Sequence, residues 1–177
     1  MEGNNRRINM TQKIKSTFLG ERVSQHYLAI PMWEDVLTRF KLARFIELGT
    51  WWGNFSIYFL MFCMNREADF ITYDTVRRKN SRLKWLLKFD SCHRKKDVFT
   101  SYTEIAQEIA KEGRTVLFCD NGDKQKELAL FAPCLKSGDI IAVHDWMTEV
   151  FPDANTKELT EIPLSIWDGV TKFFIKP

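Results

Sequence analysis

The sequence predicts a doubly wound α/β domain whose mostly parallel sheet is covered by helices on both faces. Three observations carry that expectation. Short apolar runs rich in β-branched and aromatic residues recur along the chain, segments of helical apolar spacing alternate with them, and glycines or acidic residues stand where the runs end. Strands that are apolar throughout, rather than on alternate residues, belong to sheets buried on both sides.

The elements follow in order. A helix is expected over 31–40, where Trp33, Val36, Leu37 and Phe40 share a face and Pro31 stands near the start. A strand over 43–48 (ARFIEL) stops at Gly49, and helical spacing returns over 55–64. The run 69–73 (DFITY) is a strand by its β-branched and aromatic content, and a helix follows over 81–89. The second half repeats the scheme: a weak strand over 93–99, a helix over 102–111, a strand over 115–119 (TVLFC), a helix over 124–134 and a strand over 140–143. The stretch 166–175 alternates like a final antiparallel strand.

With 177 residues, 45% of them hydrophobic, the chain can build one core, and a multidomain machine is excluded. Residues 1–19 read as a basic, disordered tail before a domain over 20–177. No apolar run reaches the ~20 residues of a membrane span, and no apolar segment follows the basic start, so neither a membrane partner nor a secretory leader is expected and the cytoplasm is the default compartment. Cys63, Cys92, Cys119 and Cys134 are far apart, as suits reduced, mostly buried thiols. The net charge of +3 hides a concentration of nine Lys/Arg against Asp90 alone in 77–96. That run is either a solvated helix face or a surface for phosphate or nucleic acid.

Ligands bind such sheets outside the carboxyl ends of the strands. The first end is the turn ELGTWWGNFS, where Gly49 and Gly53 allow close backbone approach and Asn54 or Ser56 offers a helix cap. Asp74, ending the next strand, suits ribose hydroxyls or a helix cap. Asp97 either neighbours an adenine amine or balances the adjacent lysines. Asp120 follows 115–119, and His144-Asp145 follow 140–143, so one rim receives two carboxylates and an imidazole, a set able to hold a divalent cation or to form a hydrogen-bonded polar rim without one.

On these residues the chain resembles class I S-adenosylmethionine-dependent methyltransferases, in particular the small cephalosporin-hydroxylase-like and macrocin-type O-methyltransferases. Glu47-Leu48-Gly49-Thr50 with Gly53 and Ser56 is similar to the family's cofactor turn, and Asp74 to its ribose-binding acid. The stretch DNGDKQKELALFAPCLKSGDIIAVHDW, from Asp120, is similar to the family's block of two strands and a helix with a Lys-x-x-Glu pattern. The resemblance implies a Rossmann-like fold, S-adenosyl-L-methionine bound by Glu47, Gly49, Thr50, Gly53, Ser56, Asp74, Asp97 and Asp120, and Mg2+ or another divalent cation on Asp120, His144 and Asp145. His144 departs from the family's usual carboxylate. Asp120, Lys124 and His144 are the expected catalytic residues, with Asp123 a further candidate base, and the acceptor is a small molecule or sugar held by His26, Tyr27, Trp33 and the 146–162 loop. Trp51 and Trp52 either line the site or pack in the core. Domains of the resembled class commonly end in an antiparallel hairpin, which the resemblance implies is shortened here; a trimmed C-terminus, or a partner such as a second copy of the chain covering the open sheet edge, would account for it. A nicotinamide-dependent oxidoreductase and a nucleic-acid-binding scaffold are the competing readings; the glycine spacing, which lacks the GxGxxG arrangement, argues against the first.

Overall fold

In the computed structural model, residues 15–76, 91–153 and 155–177 are described. A hairpin of β1 (Lys15–Phe18) and β2 (Glu21–His26) comes first, ahead of the boundary expected at Gly20. Then follow α1 (Ala29–Arg39), β3 (Arg44–Leu48), α2 (Asn54–Asn65), β4 (Asp69–Tyr73), β5 (His93–Arg94), α3 (Tyr102–Ala110), β6 (Thr115–Cys119), α4 (Lys124–Phe131), β7 (Ile140–Val143), β8 (Thr160–Glu161) and β9 (Lys172–Ile175). The expected helix over 81–89, and most of the basic run 77–96, lie outside the described residues.

The main sheet has the order β5-β4-β3-β6-β7-β9-β8. The first five strands run parallel, and β9 pairs antiparallel with β7 and with β8. The strand order reverses between β3 and β6, so the gap above that pair is where such a sheet accepts a ligand. The closing antiparallel pair is present, with β8 reduced to two residues. The expected strand over 93–99 shrinks to His93–Arg94, because Asp97 turns the chain by accepting from the N–H groups of Phe99 and Thr100. The helix expected over 124–134 ends at Phe131, where Pro133 lets only a 3-10 turn continue.

Every residue of β3, β6 and β7 is buried, as the continuous apolar runs require. Alternate side chains feed two cores. Phe45, Phe118 and Phe173 face α1 and α2, while Ile46, Leu117 and Ile141 face α3 and α4. Trp33 anchors the first core with its ring 4.6–5.5 Å from those of Phe45, Phe59, Phe118 and Phe173. The contacts with Phe59, Phe118 and Phe173 are edge-on, and such contacts add about 0.5–1.5 kcal/mol each beyond their burial. All four cysteines are free, two of them buried, and no described helix is long and apolar enough to cross a membrane.

Candidate functional site

A cavity of about 580 Å³ opens at the carboxyl ends of β3, β4, β6 and β7, a volume typical of small-molecule sites. Its floor is the turn after β3. Gly49 has φ +99°, and a Cβ on it would meet the Asp120 carbonyl oxygen at 2.3 Å, so only glycine lets the two strand ends come this close. Beneath the turn, Glu47 is buried and accepts hydrogen bonds from Ser56 and from Thr72 (2.6 Å), and the Thr72 and Thr50 hydroxyls are hydrogen-bonded to each other at 2.6 Å. Burial pushes the Glu47 carboxyl up to about 8, against the pull of those two hydroxyls. Ser56 is fully buried in this network, so it braces the turn from below.

Asp74 fixes the turn from the side. Its Oδ2 accepts from the Trp51 N–H at 2.8 Å and its Oδ1 from the Val76 N–H at 2.8 Å. A carboxylate offers about four acceptor sites, so two remain for a ligand. Trp51 sits at φ +51°, a left-handed conformation costly for a bulky residue and held here by that bond. Trp51 and Trp52 both line the cavity and are about half exposed, so the packing alternative does not hold for them.

The rim opposite carries the charges. His144 Nδ1 is buried, 3.1 Å from Asp120 Oδ1 and 3.2 Å from Asp145 Oδ2, yet neither approach has hydrogen-bond geometry; both are ion-pair contacts. Burial works against the imidazolium, but Asp120 and Asp145 outweigh it and push His144 up to about 10. Asp145 is in turn held well below the usual carboxylate range, by His144 first and then Lys124, against its partial burial. Lys124 lies 2.9 Å from Glu149 and 3.0 Å from Asp145. Burial alone would loosen its proton; the two carboxylates outweigh that and hold the ammonium more tightly than in free lysine. The carboxylates around Lys124 and His144 thus favour the protonated form of both.

The geometry moves other expected residues away. Trp33 is 1% exposed in the core and cannot hold an acceptor. His26 accepts from the Leu28 N–H and packs its ring at a tilt against Tyr27, and neither lines the cavity. The cavity lining takes nothing from 146–162, because that loop folds back on the Asp145 carbonyl, through the N–H groups of Thr148, Glu149 and Val150. Asp97 spends its carboxylate on its own turn and stands outside the cavity. Asp123 caps α4 through the Lys126 N–H, a structural duty rather than that of a base.

What the sequence did not point to is the hairpin wall. Arg22, Ser24 and Gln25 of β2 line the cavity, and Gln25 Nε2 donates to Asp120 Oδ2 at 2.8 Å across 95 residues of chain.

This architecture is found in solved structures. One named cmcI-N160 SAH is 16% identical, with a TM-score of 0.59 over 90% of this chain and 82% of that one. The chain has a class I methyltransferase fold. A caffeoyl-CoA O-methyltransferase-like protein from Staphylococcus aureus aligns at 12% identity and TM-score 0.58, over 84% of this chain and 83% of that one. An RNA methyltransferase from Salinibacter ruber, in complex with S-adenosyl-L-homocysteine, aligns at 12% identity and TM-score 0.54, over 87% and 94%. No protein-family model and no curated protein matches the sequence.

Proposed function

We propose that this chain is an S-adenosylmethionine-dependent methyltransferase that methylates a hydroxyl of a small molecule or sugar. The observation that carries the reading is convergence: the Gly49 turn, the Asp74 carboxylate and the Asp120, His144, Asp145 rim all face one cavity, on a methyltransferase fold. Asp74 suits the ribose hydroxyls, and the backbone of Gly49, Thr50 and Gly53 suits the methionine part. A dinucleotide gives the charged rim no task, and nothing in the cavity favours it.

Methyl transfer is an in-line displacement, so the protein's work is to hold acceptor oxygen and methyl carbon in line and in contact. The rim residues fit a divalent cation: one ligand atom from each of Asp120, His144 and Asp145 lies within 4.8 Å of the others, and the buried His144 Nδ1 has no hydrogen bond to lose. These three would hold the ion, which when bound would favour the alkoxide form of the acceptor hydroxyl. A ligating imidazole is neutral, so binding would release the His144 proton. Lys124 supplies fixed positive charge beside the developing alkoxide. Without the ion, the carboxylates around Lys124 and His144 favour the protonated form of both, and Asp120 is then the remaining catalytic candidate to take the hydroxyl proton.

The test is calorimetric titration with S-adenosylmethionine, S-adenosylhomocysteine and NAD, each with and without Mg2+. Micromolar binding of the first two and none of NAD is expected, with at least a tenfold loss in Asp74→Ala. A dependence on Mg2+ that disappears in Asp120→Asn and Asp145→Asn would place the cation on the rim. No heat from either methyl-cycle compound would overturn the reading.

A further inference from the structure

Each side chain of the charged rim is held from a different place. Asp145 is held by Lys124 at 3.0 Å, and the His144 imidazole lies between the two carboxylates. Asp120 is held from the hairpin. Its Oδ2 accepts from Gln25 Nε2 at 2.8 Å, while its Oδ1 faces His144 Nδ1 at 3.1 Å. An ionised carboxylate only accepts, so it is the amide nitrogen of Gln25 that must face it. The bond grips one oxygen and leaves the other turned to the rim.

Both ends of that bond are anchored. Asp120 N–H donates to the Leu48 carbonyl oxygen at 2.9 Å, which fixes its backbone on β3. β2 is docked by Val23, fully buried in the first core, and by Asn54 Nδ2, which donates to the Arg22 carbonyl oxygen at 2.8 Å. The residue type matters as well as its place. An amide holds the carboxylate without bringing a positive charge, so the attraction of Asp120 for a cation is kept; lysine or arginine at this position would oppose it. Groups that orient a ligating side chain in this way change metal affinity about 10–100-fold when removed. We infer that Gln25 is a positioning residue for the rim: it holds Asp120 Oδ2, turns Oδ1 towards His144, and so sets the affinity of the Asp120, His144, Asp145 cluster for a divalent cation. This rests on the cation reading of the rim given above.

The experiment titrates the full chain with Mn2+ alone, at one pH, by calorimetry and by the paramagnetic resonance of the free ion. Asp145→Asn identifies the rim: the Mn2+ binding it loses is the signal that belongs there. Gln25→Met, similar in length but without the donor, should weaken that binding about tenfold. Gln25→Asn keeps an amide one methylene short of Asp120 and should show the same loss, so the test does not depend on the apolar variant folding. Without metal, the melting temperature should fall by no more than a few degrees, and S-adenosylhomocysteine affinity should be unchanged. Mn2+ affinity equal to wild type in both variants overturns the assignment and leaves the cation reading intact. A loss of S-adenosylhomocysteine binding as large as that of Mn2+ also overturns it, since Gln25 would then serve the cavity wall at large. A wild type that binds no Mn2+, or an Asp145→Asn variant that binds it equally well, overturns the cation reading and this inference with it.

Discussion

The two ends of the parallel sheet both carry charged side chains and use them differently. At the amino end, Asp139 is 1% exposed. Its Oδ1 accepts from Thr115 N–H at 2.8 Å, and its Oδ2 from Lys136 N–H at 2.9 Å and Lys136 Nζ at 2.8 Å. Arg44, also buried, lies between Asp69 and Glu108 at 3.7 Å from each. These groups stitch the starts of strands together. At the carboxyl end, Asp120, His144, Asp145 and Lys124 line open space, and their charges are set against each other rather than spent on the backbone. Backbone strain is concentrated at the second end too, with Trp51, Asp145 and Met147 at φ between 51° and 61°. At the first end Asp139 is spent on backbone and lysine; at the second the charged groups face open space.

The sharpest way to break this contrast is to remove one carboxylate from each end. Asp139→Ala should cost about 3–5 kcal/mol, because two backbone N–H groups and a lysine lose their acceptor in the interior. Chemical denaturation would measure it, and S-adenosylhomocysteine affinity at low temperature should be unchanged. Asp120→Asn should do the reverse, moving stability by less than about 1 kcal/mol while removing the response to Mg2+. Equal stability losses at the two positions would erase the distinction.

Two glycines sharpen the same comparison at a smaller scale. Gly113, at φ +86°, would place a Cβ 2.4 Å from that of Ala43 at the amino end, just as Gly49 would strike the Asp120 carbonyl at the carboxyl end. Alanine at either should cost about 2–4 kcal/mol, from left-handed strain plus overpacking. Only Gly49→Ala displaces Asp120, so only it should also lose S-adenosylhomocysteine binding in titration.

How much of this was legible depended on whether an element's signal was local. The bounds of β4, β6 and β7 match the expected ones because DFITY, TVLFC and IIAV end at residues that break the apolar run. Asp120, His144 and Asp145 could be brought together from sequence because neighbouring parallel strands deliver their ends to one rim. The hairpin was missed for a physical reason. Its two-residue turn has Leu19 and Gly20 both at positive φ, and leucine is a poor advertisement for a conformation that asparagine or glycine usually adopts. In β2 (ERVSQH) only Val23 is buried, so neither helical nor strand periodicity shows. The cavity wall went with it. Trp33 shows the opposite fault: an aromatic on a helix face near the site was assigned to ligand when four phenylalanines had claimed it. The Lys124–Glu149 pair spans 25 residues and a folded loop, and no local pattern announces it.

The smallest expected effect concerns Glu127, which sits under the rim and belongs to neither end's pattern. It is fully buried, Oε1 has no partner among the described residues, and Oε2 accepts only a long 3.4 Å bond from Asn121 N–H. Burial pushes its carboxyl up to about 8 from the ordinary 4.5 of a solvated glutamate. The folded state therefore holds a proton that the unfolded chain has given up, and stability is fully present below about pH 4.5 and lost as pH rises through about 8. Glu127→Gln keeps the shape and removes the titration. Its melting temperature should match the wild type near pH 5 and exceed it by a few degrees near pH 8.5. A constant difference across that range would mean that Glu127 is ionised inside the fold, as a carboxylate of the rim would be, and that the charged layer reaches one helical turn deeper than the cavity does.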